Sequence, residues 1–281
     1  MGRQSVPAGR RAVTEWQERL VSAYRIMRRR GRKYMLKIII SPAKKMNEQD
    51  ILPPENLPVF LEKTKFLLEQ MRKMSLSELQ DMWKCNDKIA MENYERITSM
   101  NLRERLTPAI LAYEGIQYKY MAPAVFDESA YAYLQSHLYI LSGFYGALRP
   151  FDGVTPYRLE MQARFHQEKL DSLYDFWGGA IADTVLEECS LLVNLASKEY
   201  SRAVLKYLPG NLSCVTCVFG ELINGKVKEK GTYAKMARGE MVRFMAEQKV
   251  EDAAGLKSFD RLGYHFAGTY SDEQTLVFLK D

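Results

Sequence analysis

Histidine is scarce. The chain has three, at positions 137, 166 and 265, with no two within ligand spacing of each other. There is no H-E-x-x-H, so a metal enzyme lacks its donor set and direct iron storage lacks a carboxylate–histidine cluster. Four cysteines, at 85, 189, 214 and 217, are too few and too scattered in 281 residues for a disulfide frame, so a reducing cytoplasm is the simplest setting. Cys214 and Cys217 form a C-x-x-C, but no second pair or nearby histidine completes a site. "SCVTCVF" also reads as a strand, with the two thiols on opposite faces. A phosphate-cradling glycine loop, a G-x-S-x-G and an internal repeat are all missing. No apolar run approaches the roughly 18 residues of a membrane span. The expectation is a protein without metal, cofactor or membrane partner.

What is present is the composition of an ordered globular protein: 47% apolar and 27% charged residues rule out a disordered chain. The net charge of +5 is unevenly placed. Residues 1–34 hold ten Lys and Arg against two Glu, whereas residues 35–281 hold 30 basic and 33 acidic residues. Any polyanion bound by the body must therefore meet a local cluster of cations rather than a general field. The basic leader reads as a weakly ordered extension or an upstream start codon ahead of "MLKIIISPAKKM". A nucleic-acid arm and an organelle-targeting segment are the other readings of so many cations. The chain thus divides into an extension, 1–34, and one domain, 35–281.

Along that domain, "MLKIII" (35–40) is predicted as a buried strand that leaves the sheet through Pro42. Helical spacing runs from Pro58 to Met100, with a capping box at Ser75 to Glu78 and another helix over "NDKIAMENYERITSM". Asp127 or Ser129 caps a helix predicted to run through "AYAYLQSHLYIL" and stop at Ser142-Gly143. "LDSLYDFWGGAIADTVLEEC" is predicted as one long helix, "LLVNL" as a buried strand and "SKEYSRAVLKYL" as a helix. Asn224-Gly225 supplies the positive φ angles of a hairpin turn in "CVTCVFGELINGKVKEKG". "TYAKMARGEMVRFMAEQKV" is helical, and "GYHF" and "TLVFLK" are strands. With no regular βαβ alternation, the fold class is mixed α+β: one compact domain with a mixed sheet and flanking helices.

Three constellations carry chemistry. In "LSGFYGALRP", Gly143 and Gly146 allow a backbone path like the turn of a helix-hairpin-helix, where N–H groups face a phosphate; a plain helix stop is the alternative. In "RPFDGVTPYRLEM", Arg149, Asp152, Tyr157, Arg158 and Glu160 project from a loop that Pro150 and Pro156 stiffen. That is either a preorganised site or an internal ion-pair network closing the loop on the core. Lys235 and Arg238 share a helix with Arg243 and with Gly239, which costs a helix about 1 kcal/mol against alanine and so implies close approach of a backbone or a ligand. Lys44, Lys45 and Lys198 add cations that line the same cleft or lie solvated on the surface.

In order, "SPAKKM" (41–46), "LSGFYGALRPFDGVTPYRLEM" (141–161), "LYDFWG" (173–178), "NLASKEY" (194–200) and "YAKMARGEMVRF" (233–244) resemble the YaaA family of peroxide stress proteins over essentially all of residues 35–281. The resemblance implies a compact α/β unit with a basic cleft and a helix-hairpin-helix element. It also implies a cytosolic bacterial protein of the hydrogen peroxide response that limits free iron, and so oxidative damage to DNA, and that binds double-stranded DNA. The family's motif residues correspond here to Ser41, Lys44, Arg149, Tyr157, Arg158, Glu160, Asn194, Ser197, Tyr200, Lys235, Arg238 and Arg243. Two functions follow as expectations. In the first, a monomer binds duplex DNA through Ser41, Lys44, Lys45, Gly143, Gly146, Arg149, Arg158, Asn194, Ser197, Tyr200, Lys235, Arg238 and Arg243, with Phe144, Tyr145 and Tyr157 against bases. In the second, an enzyme acts on a small anionic or nucleobase-like substrate in the same cleft, with Glu160 as acid/base and Tyr157 beside it.

Overall fold

Leu36 to Ile40 are all buried, and an apolar run of that length with a proline exit suits a strand covered on both faces. It is the central strand, β1 (Met35–Ile40), of a mostly parallel sheet in a computed structural model that describes residues 35–165 and 171–280. The basic extension 1–34 and His166 lie outside the described residues. The remaining strands are β2 (Leu138–Ser142), β3 (Gly146–Leu148), β4 (Cys189–Leu195), β5 (Ser213–Ile223), β6 (Lys226–Lys228), β7 (Tyr264–Phe266) and β8 (Thr275–Lys280). Their order is β7-β8-β5-β4-β1-β2-β3, with β6 folded back on β5. β1 runs parallel to both neighbours, Ile38 lying opposite Leu138 on one side and Val193 on the other. β4, β5 and β8 continue the parallel set, while β3, β6 and β7 are antiparallel.

The helices that matter for the site are α1 (Leu61–Lys73), α2 (Leu76–Trp83), α3 (Asp87–Ser99), α4 (Ile116–Met121), α5 (Glu128–His137), α6 (Leu173–Trp177), α7 (Ala180–Leu186), α8 (Lys198–Leu205) and α9 (Gly231–Gln248). Local chemistry explains their ends. Ser75 and Glu78 make the reciprocal capping box of α2, Asn86 caps α3 and Asp127 caps α5 by accepting the Ala130 N–H at 2.8 Å. Asn224 and Gly225 both have positive φ in the turn between β5 and β6.

Three local expectations give way to tertiary pairing or to glycine. The helix expected to reach Leu141 ends at His137, and Leu138–Ser142 instead pairs with β1; a short apolar run fits either period, and a buried parallel neighbour decides it. Gly143 and Gly146 consequently sit in a strand-turn-strand hairpin between β2 and β3, not in a turn between two helices. The long helix expected over 170–189 is two, α6 and α7, broken at Gly178, whose φ is +51°. The sheet also contains βαβ units, β4-α8-β5 and β5-α9-β8, which the long segment between β1 and β2 hides from a reading of the sequence.

The topology creates a crevice. From β1 the chain goes on to β2, on one side, while from β4 it goes through α8 to β5, on the other. Segments leaving the carboxyl ends of adjacent parallel strands in opposite directions open a gap between them, the usual place for a ligand in such sheets.

Candidate functional site

A cleft of about 480 Å³ opens at that point. Ser41, Pro42, Ala43, Lys44 and Lys45 enter it from the exit of β1, and Ser197, Glu199 and Tyr200 enter from the exit of β4. The proline-stiffened loop supplies Tyr157 to Glu160, the start of α4 supplies Gln117 and Tyr118, and α9 supplies Lys235 and Arg238. Five cations and three carboxylates (Glu114, Glu160 and Glu199) therefore share one concavity.

The two strand ends are stitched together. The Ser197 N–H donates to Ser41 Oγ at 2.9 Å, Ser41 Oγ donates to Ser197 Oγ at 3.2 Å, and the Tyr118 hydroxyl donates to the Ser41 carbonyl at 3.0 Å. Ser197 occupies the cap position of α8 without a side-chain bond to that helix's first turn. Glu160 lies 2.9 Å from Lys44 Nζ and 3.5 Å from Arg158 Nη2. Lys45 pairs with Glu114 at 2.8 Å and Arg238 with Glu229 at 3.2 Å.

Three donors on the walls have no hydrogen-bond partner although their atoms are buried: Arg158 Nε, Arg238 Nε and Gln117 Nε2. The Arg158 and Arg238 side chains are 11% and 17% exposed, and Gln117 is 8% exposed. Leaving such a donor unmet costs about 1–3 kcal/mol, and because these atoms present no surface to solvent the cost is carried inside the wall rather than offered to the cleft.

Two glycines set the walls. Gly239 lets α9 cross α4 so closely that a Cβ there would lie 2.1 Å from the Gln117 carbonyl oxygen. Gly143, behind the site, lets the β2–β3 hairpin touch the 159–161 backbone, where a Cβ would lie 2.6 Å from the Leu159 carbonyl oxygen. Trp177 Nε1 donates to the Gly143 carbonyl at 3.0 Å and holds that hairpin in place.

A family profile described as peroxide stress protein YaaA matches residues 36–269. The chain is 52% identical over 246 residues to a UPF0246 protein of Lachnoclostridium phytofermentans, covering 87% of this chain and 96% of that one. Against a UPF0246 protein of Desulfitobacterium hafniense it is 53% identical over 246 residues, 87% of this chain and 98% of the relative. This chain belongs to the YaaA family of peroxide stress proteins. Within this YaaA-family fold, no described helix is long and apolar enough to cross a membrane. Among the described residues, no group of three or more His, Cys, Asp or Glu is placed to hold a metal ion.

Of the residues singled out in the sequence, Ser41, Lys44, Lys45, Tyr157, Arg158, Glu160, Ser197, Tyr200, Lys235 and Arg238 line the cleft. The others do not. The Arg149 N–H donates to the buried Asp152 carboxylate at 2.9 Å, and the charge of Arg149 acts on Lys37, a residue of β1 that is not among the cleft-lining residues. Asn194 stabilises the strand exit, accepting the Ala196 N–H at 3.0 Å and donating to Thr216 at 3.2 Å. Arg243 pairs with Glu247 one turn along α9 at 2.8 Å. Gly143, Phe144, Tyr145 and Gly146 are buried in the hairpin.

Tyr157 reaches the cleft, but its hydroxyl is tied into a buried network, 2.6 Å from Ser142 Oγ and 2.9 Å from the Tyr113 hydroxyl. Burial pushes its proton affinity well up, which makes it a brace for the loop rather than a proton carrier near neutral pH. The cleft carboxyl whose proton affinity rises is Glu199, raised by desolvation, opposed by the Gln162 N–H it accepts, and raised further by the neighbouring charge of Glu160. In the sequence Glu199 looks like an ordinary first-turn helix carboxylate, and Gln117 and Tyr118 look like surface residues, but both of the latter are buried where α4 meets α9. Burial pushes the Cys189 and Cys214 thiols up to about 11 and Cys217 up to about 12, away from the thiolate that a peroxide-reactive cysteine needs.

Proposed function

We propose that this protein acts as a cytoplasmic monomer in the response to hydrogen peroxide, limiting free intracellular iron and so sparing DNA, and that it does so by binding an anionic ligand in the cleft. The observation that carries the reading is the convergence of Lys44, Arg158, Lys235 and Arg238, from three distant segments, on one concavity. Charge balance favours a small ligand over the side of a duplex. Three carboxylates line the same cleft, the domain is acid-leaning, and Lys44, Lys45, Arg158 and Arg238 each have a carboxylate within ion-pair distance, so a polyanion would have to displace those pairs. Glu160, held between Lys44 and Arg158, is the base of the catalytic version of this reading, with Glu199 as a second carboxyl in the same cleft.

Duplex DNA at the rim is the second reading, favoured by the exposed Lys44, Lys45 and Lys235 at the mouth. Two variants separate the readings in cells that lack their own copy. Glu160→Gln is expected to lose peroxide resistance while the purified protein's duplex affinity is unchanged, and Arg158→Met is expected to lose resistance as well. Full resistance from both variants would remove the cleft from the function; loss of duplex affinity in step with resistance would transfer the role to DNA.

A further inference from the structure

Of the five cations and three carboxylates that line the cleft, all but two meet an opposite charge within ion-pair distance. Lys44 and Arg158 share Glu160, Lys45 pairs with Glu114, and Arg238 pairs with Glu229. The remaining two are of opposite sign. Among the described residues, Glu199 has no cation and Lys235 no carboxylate at ion-pair distance, and the two do not reach each other. Glu199, in the first turn of α8, is half-buried, accepts the Gln162 N–H at 3.3 Å and interacts with the charge of Lys44 only from beyond ion-pair distance. Lys235, on α9, is exposed at the mouth.

An unpaired carboxylate costs more in a half-buried cleft than in water, and desolvation accordingly raises the proton affinity of Glu199. A cationic group brought into the cleft offsets that cost. Lys235 offers the complementary contact to an acid. With Glu229 counted beside the lining groups, five cations stand against four carboxylates, an excess of one positive charge. A multiply charged anion or a polyamine drives that balance far from neutral, and a simple monoanion leaves Glu199 unmet. A ligand with a charge of each sign meets both free groups. The lining also includes Pro42, Ala43, Ile116 and Leu159, and the volume of about 480 Å³ lies in the range of small-molecule sites, so an apolar body between the two charged ends is accommodated.

We infer that the cleft binds a small zwitterion of the amino-acid class, with its ammonium group at Glu199 and its acid group at Lys235. The inference rests on the anion-binding reading above for the acid end and adds the cationic end to it.

Calorimetric titration of the full chain tests it with the standard L-amino acids, straight-chain ω-amino acids of increasing length and inorganic phosphate, followed by the N-acetyl and carboxamide forms of the tightest binder. Each derivative deletes one charge and is expected to bind about 10-fold or more weakly than its parent, the worth of one charge-assisted hydrogen bond. Glu199→Gln keeps an acceptor for the Gln162 N–H and is expected to erase the N-acetyl penalty alone, with inorganic phosphate bound no more weakly than by wild type. Lys235→Met is expected to erase the carboxamide penalty alone. Because Lys235 is exposed, that variant decides the matter should Glu199→Gln lower the melting temperature. Arg243→Met, outside the cleft, is expected to behave as wild type. An N-acetyl form binding as tightly as its parent, or phosphate binding without any amino acid, would overturn the zwitterion and leave the anion site standing. Absence of binding by every amino acid and by phosphate would overturn both.

Discussion

Gly239→Ala is expected to lower the folding stability by about 2 kcal/mol, the largest effect of any single methyl group in the cleft wall. The added Cβ would lie 2.1 Å from the Gln117 carbonyl oxygen and 3.0 Å from both the Gln117 carbonyl carbon and the Met121 nitrogen. All three obstacles are backbone atoms of α4, so no rotamer change relieves them and the helices must separate. Alanine recovers about 1 kcal/mol of helix propensity, but overpacking typically costs about 1–3 kcal/mol and reaches the upper end against backbone on which nothing can turn aside. Separation of α4 from α9 also pulls Gln117 away from Lys235 and Arg238, so ligand binding falls with stability. Urea unfolding of Gly239→Ala beside Gly231→Ala checks this, because a Cβ at Gly231 meets nothing within 4 Å. Equal stability of the two variants would contradict the close crossing.

The second large effect belongs to Asp152 and depends on pH. The residue is buried in the turn after β3, and desolvation pushes its carboxyl up to about 7. The Arg149 N–H and charge oppose the rise, and Glu55 adds to it. In the unfolded chain the same group titrates near its ordinary value of about 3.9. Between about pH 4 and pH 7 the folded protein therefore holds a proton that the unfolded chain has lost, and this carboxyl makes folding progressively less favourable as pH rises through that window. Above about pH 7 the full cost is present. Asp152→Asn keeps an acceptor for the Arg149 N–H and removes the ionisation. The variant is expected to match wild type near about pH 4 and to exceed it at about pH 8 by on the order of 4 kcal/mol, because each tenfold difference in proton affinity between the folded and unfolded chain is worth about 1.4 kcal/mol. Denaturant unfolding across that range measures the difference between the two proteins, which cancels the titration of every other group. A difference that stays flat with pH would show that the carboxyl is not desolvated.

The same loop shows what a sequence reveals and what it hides. Pro150 and Pro156 announce a stiff corner, and the corner exists, but which charges it aims outward is decided by packing. Arg158 and Glu160 reach the cleft, while the Arg149 backbone N–H and the buried Asp152 carboxyl close the turn between them. Local chemistry is readable wherever neighbours in sequence settle it: the capping box at Ser75, the Asn224-Gly225 turn and the buried run of β1. Leu138–Ser142 is not readable in this way, because its partner in pairing lies about a hundred residues away in β1 and its apolar run fits either period. Gly239 is legible as a close approach, though not as an approach to α4. The sequence does hold a signal that separates Arg243 from the cations of the cleft. Arg243 and Glu247 stand four apart on one helix face, the spacing of an intrahelical ion pair. Nothing local marks Gln117 or Glu199, which join the cleft only through tertiary packing.

Everything turns on the segments 41–45, 115–118, 157–160 and 197–200 forming a single ligand site. Hydrogen–deuterium exchange of the full chain with and without saturating inorganic phosphate tests it directly. Slower exchange in peptides from these four segments together, with α9 around Arg238, is the expected result. Protection confined to one segment, or to surfaces outside the cleft, would contradict it.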